Sequence, residues 1–184
     1  KVFKLESSLL TTNMHAFDHT GNIRKFETAS SIVEAFFPNR LSLYHDRKSV
    51  LESEMRYASA TMTNKARFIE AVSNGQVDLV RQRRTKEETV AALESLGFDS
   101  SGQLLEIRRD NALRDRMKTE KDTKNDDDKN FDYLMNMPLA SLTTEKLQEL
   151  NQDAEKKRIS LESLQNKTAE DLWRDDLDSL ERAL

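Results

Sequence analysis

The sequence predicts a mainly α protein: a long antiparallel two-helix coiled-coil arm bearing a small helical head, with a short β-hairpin before the arm. Three observations carry this reading. Two separate stretches space their apolar residues alternately three and four apart, the period of a coiled-coil seam. Four glycines and two prolines in 184 residues are too few turn formers for a sandwich or barrel of many short strands. A composition of 36% hydrophobic against 34% charged residues is lean for one compact core and suits helices that each bury a narrow stripe.

The hairpin belongs to residues 1–29. Phe3 and Leu5 alternate with polar neighbours, and Met14-His15-Ala16-Phe17 and Ile23-Arg24-Lys25-Phe26 flank Asp18-His19-Thr20-Gly21-Asn22, where Gly21 and Asn22 tolerate positive φ. An outgoing arm is expected over 30–75. Pro38 follows Ile32 to Phe37 and either opens a first turn or kinks a continuous helix. The seam then runs through Tyr44, Lys48, Leu51, Met55, Ala58, Met62, Lys65, Ile69 and Val72, and Asn74-Gly75 supplies the stop.

A helical head is expected over 76–142. Thr85-Lys86-Glu87-Glu88 reads as a capping box before Val90, Leu93 and Leu96, with Gly97 closing that helix. A further helix carries Leu104, Leu105, Ile107 and Leu113. The stretch from Thr119 to Asn130 has no apolar residue with which to offset its ordering entropy, so it is expected to be a mobile loop. The returning arm and a last helix fill 143–184. Thr143 is the expected N-cap, the second seam passes through Leu147, Leu150, Ala154, Lys157, Leu161 and Leu164, and Thr168 caps a helix with Leu172, Trp173, Leu177 and Leu180. Each seam should bury mainly against the other, with Lys48, Lys65 and Lys157 weakening the pair while fixing its register.

Little chemistry is evident. A net charge of −4 from 29 basic and 33 acidic residues gives no global field for nucleic acid, so any DNA contact must be local. The absence of cysteine excludes disulfides and a thiol nucleophile, and no apolar stretch reaches the length of a membrane span. The abrupt start at Lys1-Val2-Phe3-Lys4, without an initiator methionine or signal pattern, reads as an internal boundary of a longer protein. His15, Asp18 and His19 resemble a metal cluster only in sequence, because hairpin alternation points neighbouring side chains apart. Tyr44 sits among Arg40, Arg47 and Lys48, where a phenol can become a nucleophile, but its seam position favours packing. Arg81-Gln82-Arg83-Arg84 and Asp126-Asp127-Asp128 read as solvated charge runs, the latter lacking the spacing of a calcium loop. Phe131, Leu134, Met135, Met137, Leu139 and Leu142 concentrate apolar side chains after the acidic stretch. Composition admits two uses for them, the core of the head and a contact with a second chain.

Several stretches together resemble eukaryotic-type DNA topoisomerase II, a type IIA enzyme. They are Asn13 to Asp18 with Gly21 and Lys25, Leu43-Tyr44 with Arg47-Lys48, and Asn64-Lys65-Ala66-Arg67-Phe68-Ile69. The most specific is Phe131 to Leu139 with Leu142-Thr143 and Glu145-Lys146, and Lys167 to Trp173 with Asp176-Leu177 completes the match. Ala140-Ser141 depart from the pattern, standing where the family often has bulky aromatic residues. The resemblance implies that 1–29 end the tower region and that the rest is the coiled-coil arm and C-gate, the exit for the transported duplex. It also implies a homodimer joined through Phe131, Leu134, Met135, Met137, Leu139 and Leu142, with double-stranded DNA as the intact enzyme's cargo and a nuclear or, alternatively, mitochondrial location. The catalytic tyrosine lies upstream in the family, so this chain is expected to hold no catalytic, cofactor or metal residues, with ATP and Mg2+ serving the intact enzyme elsewhere. A coiled-coil dimerisation scaffold without enzymatic activity and a self-contained nucleic-acid-binding module are the competing classes.

Overall fold

The computed structural model describes residues 13–77, 85–109 and 130–183. The alternation at Phe3 and Leu5, the basic run Arg81 to Arg84, Leu113 and the acidic stretch up to Lys129 lie outside the described residues. Among those described, the order is β1 (His15–Phe17), β2 (Ile23–Lys25), α1 (Ala29–Ser73), α2 (Lys86–Ser95), α3 (Ser101–Arg109), α4 (Asp132–Met135), a 3-10 turn (Leu139–Ser141), α5 (Thr144–Asn166) and α6 (Ala169–Ala183). The fold is mainly helical, as its sparse turn formers require. It divides into two compact units, Lys1–His45 with Ala169–Leu184, and Asp46–Thr168.

In the first unit β1 and β2 pair antiparallel, with His15 opposite Lys25 and Phe17 opposite Ile23. One Asp18 carboxylate oxygen accepts from the Thr20 N–H (2.9 Å), the Thr20 hydroxyl (2.6 Å) and the Asn22 N–H (2.9 Å), while Gly21 takes φ 85°. These bonds, the Thr20 hydroxyl foremost, hold the Asp18 carboxyl below its usual range. Helix α1 opens where Thr28 Oγ1 accepts from the Ser31 N–H at 3.1 Å. Of the two readings of Pro38, the continuous helix is the one observed, since α1 runs through it. Proline has no N–H to give the carbonyl four residues back, and one residue on Asn39 Nδ2 donates to the Ala35 carbonyl at 3.2 Å. Trp173 of α6 organises this unit: its ring stacks on Tyr44 (5.6 Å, 16°) and meets Phe37 at 5.2 Å and the edge of Phe36 at 6.4 Å.

In the second unit the later part of α1 runs antiparallel to α5. Ala66 and Ile69 cluster with Leu150, joined by Met62 and Leu147, while Lys48 at the other end reaches the carbonyls of Gln165 (3.2 Å) and Lys167 (2.6 Å). The two seams read from the sequence therefore do meet. Lys48 escapes the expected penalty of a charged seam residue, because its ammonium completes the C-terminal carbonyls of α5 where the helix dipole favours a cation. Thr143 caps α5 as expected, its hydroxyl accepting from the Lys146 N–H.

Candidate functional site

The apolar segment after the acidic stretch is built on a small frame of short helices. Helix α2 begins with the expected capping box, Thr85 Oγ1 accepting from the Glu88 N–H and Glu88 returning to the Thr85 N–H. It ends in a Schellman turn: Gly97 at φ 70° donates to the Glu94 carbonyl and Phe98 donates to that of Leu93. Helix α1 closes the same way, with Gly75 at φ 70° donating to Val72 and Gln76 to Ala71. Ser100 and Gln103 then cap α3 reciprocally.

Helix α4 is only one turn long and is held from outside. Asn130 Oδ1 accepts from the Asp132 N–H (2.7 Å), and the Asn130 carbonyl accepts from the Ser101 N–H (2.7 Å). Polarity alone groups Asn130 with the acidic stretch before it, yet those bonds fix it between α3 and α4. Beneath, Phe68, Ala71, Val77, Leu93, Phe98, Phe131 and Leu134 form one buried cluster.

The six apolar residues expected at a dimer contact therefore divide. Phe131 is 1% exposed and Leu134 0% exposed, so both pack into the chain's own core. Met135, Met137 and Leu142 are half-buried against that cluster, and Met137 and Leu142 also reach the Ala66–Ile69–Leu150 cluster of the arm. Leu139 opens the 3-10 turn, which is tightened by Ser141 donating to Pro138 through both its N–H and its hydroxyl.

Sequence reasoning missed a polar frame around this core. Asn64 Nδ2 donates to Asp99 Oδ2 (2.8 Å), and the Arg67 guanidinium donates to the carbonyls of Gly97 (3.2 Å) and Leu96 (3.1 Å) while lying 4.9 Å from the Phe98 ring. The Tyr133 hydroxyl donates to the Asp99 carbonyl at 2.7 Å. Burial, and then the Asp99 charge, push the Tyr133 phenol well above the tyrosine range, so it stays a donor. A signal existed: Tyr57, Asn64, Phe68 and Ala71 mark a second stripe on α1, spaced seven, four and three, beside the one that meets α5.

Nothing in this frame resembles a reaction centre. Tyr44 is 3% exposed, and its hydroxyl donates to Asp176 Oδ2 at 2.7 Å, which makes it a packing residue in the other unit. Among the described residues no three His, Cys, Asp or Glu side chains converge on a metal position. No described helix is long and apolar enough to cross a membrane.

A family model for the A subunit of DNA gyrase/topoisomerase IV matches residues 1–178. The chain belongs to this topoisomerase family. Within it the resemblance is to the eukaryotic type II enzymes. The chain is 32% identical over 192 residues to the DNA topoisomerase 2 of Plasmodium falciparum, covering 100% of this chain and 14% of that protein. It is 34% identical over 196 residues to that of Arabidopsis thaliana, covering 100% and 13% respectively. The crystal structure of the Plasmodium falciparum topoisomerase II DNA-binding, cleavage and re-ligation domain superposes with a TM-score of 0.75 at 32% identity, over 99% of this chain and 24% of that one. The topoisomerase segment thus spans about an eighth of the curated relatives it matches.

Proposed function

We propose that this topoisomerase segment is the coiled-coil arm and exit gate, or C-gate, of an ATP-dependent type II enzyme acting on double-stranded DNA in the nucleus. In this reading it joins two subunits and parts to release the transported duplex. The observation that carries it is the antiparallel pairing of α1 with α5, which closes on a small head in which the Phe131–Leu142 segment packs over a rigid core. A gate that opens every cycle needs a limited contact patch on a firm support, and a continuous stripe along an arm would resist opening.

Chemistry is assigned elsewhere in the enzyme. We assign ATP and Mg2+ to other parts of the intact enzyme, and the Asp18 carboxylate is engaged by Thr20 and Asn22. We assign the cleavage tyrosine to another part of the intact protein, since Tyr44 is stacked and hydrogen-bonded.

We assign Phe131 and Leu134, which are buried in the chain's own core, to the support of the contact. Met135, Met137 and Leu142 are the face offered to the second subunit, and Leu139, whose side chain lies outside the described residues, is kept with them on the sequence expectation. Leu139→Asp should shift the chain from dimer to monomer mass in sedimentation equilibrium with its helical circular dichroism intact. Leu134→Asp should instead lose the fold, because a carboxylate there has no water and no partner. A dimer that survives Leu139→Asp would move the gate elsewhere.

A further inference from the structure

Four side-chain bonds converge on the five-residue turn Leu96–Ser100 between α2 and α3. Three come from α1, namely Asn64 to Asp99 and the two arms of Arg67 to Leu96 and Gly97. The fourth comes from Tyr133 in α4, next to the proposed contact face. Helices α2 and α3 have 10 and 9 residues, lengths at which a helix in water is not stable alone, so their position is decided by what holds them.

Asn64 is 2% exposed, and its Oδ1 has no hydrogen-bond partner among the described residues. A buried acceptor left unpaired destabilises the fold, and a leucine, which has the same branch at Cγ, would avoid that cost. Buried asparagines at helix interfaces are known to do something else: they accept lower stability and select one register. Asp99 is only half-buried, so its carboxylate can turn to water if Asn64 is lost.

We propose that Asn64, Arg67 and Tyr133 form a latch that fixes the register of the head on the arm helix and thereby positions the contact face for the second subunit. They are positioning residues, acting through α4 and the 3-10 turn that follows it without touching the partner. The latch makes the head and the later part of α1 one body, so that gate opening separates two intact heads. This rests on the gate reading above.

The test is Asn64→Leu in the full chain, with dimer dissociation and thermal unfolding measured side by side. The expected result is a dimer weakened about tenfold or more, roughly 1.4 kcal/mol, at an unchanged or raised unfolding midpoint. Tyr133→Phe, which deletes one hydroxyl, should move the dimer in the same direction and serves alone if Asn64→Leu does not fold. An unchanged dimer overturns the latch, as does a loss of dimer that only follows a loss of stability. Leu139→Asp separates the two ideas. If it leaves the dimer whole, the gate reading has failed; if it breaks the dimer while Asn64→Leu does not, only the latch has.

Discussion

Asp18 shows how one side chain can define a turn. Its carboxylate gathers the Thr20 and Asn22 donors, which is why it titrates below the ordinary aspartate range. A depressed carboxyl stabilises the folded turn fully above the unfolded aspartate value of about 3.9 and loses that contribution as pH falls through its lower folded value. In an NMR titration the Thr20 and Asn22 amides should therefore move together with a midpoint below that of free aspartate. A midpoint at or above it would mean that the three bonds do not persist in solution. Tyr133 has the opposite sign, as an acid whose raised pKa preserves its hydrogen bond to Asp99 until strongly alkaline pH. The charges around Tyr44 tell a plainer story. Arg40 lies 5.1 Å from its ring, a cation–π contact on a packed aromatic, and the hydroxyl is committed to Asp176.

At the scale of elements, the short helices stand on their ends. Gly97 lies at φ 70° and, its chain neighbours aside, no atom of the described residues lies within 4 Å of where a Cβ would sit, so Gly97→Ala should cost only backbone strain, about 1 kcal/mol in urea unfolding. Leu93, four residues earlier in the chain and 0% exposed, should cost about 2–5 kcal/mol on truncation to alanine. Equal losses would show that the Schellman turn bears more than its conformation. Caps and stops were legible because each is a local pattern: Thr85 with Glu88, Thr143, Asn74-Gly75 and Gly97 all act within a few residues. The seams were legible too, since Ile69 and Leu150 repeat with a fixed period. What sequence could not decide is which of two partners an apolar residue takes. Phe131 and Leu134 look as able to meet a second chain as Met137 does, and only their full burial in one cluster with Phe68 and Phe98 distinguishes them from the half-buried Met137. The Asn64–Asp99 bond joins residues 35 apart and has no periodic trace.

At the scale of the whole chain, membership of the topoisomerase family was legible because five short stretches occur in the family's order, although none is decisive alone. The proposed division of labour leads to a negative expectation: incubated with supercoiled DNA, Mg2+ and ATP, this chain should neither nick nor relax it. A covalent DNA adduct on Tyr44 would overturn that division, because the ring would first have to leave its stack on Trp173. The pairing of α1 with α5 also constrains how this protein can change length. Each residue added to a helix turns everything beyond it by about 100°, so a single insertion near Ala60 would put Met62 and Ile69, which meet the start of α5, out of line with Lys48, which meets its end. Seven residues restore the direction, provided that α5 gains seven as well. The arm can therefore be edited only in whole heptads, a reading frame written in geometry, and single-residue indels tolerated elsewhere in the gene should be purged from this helix.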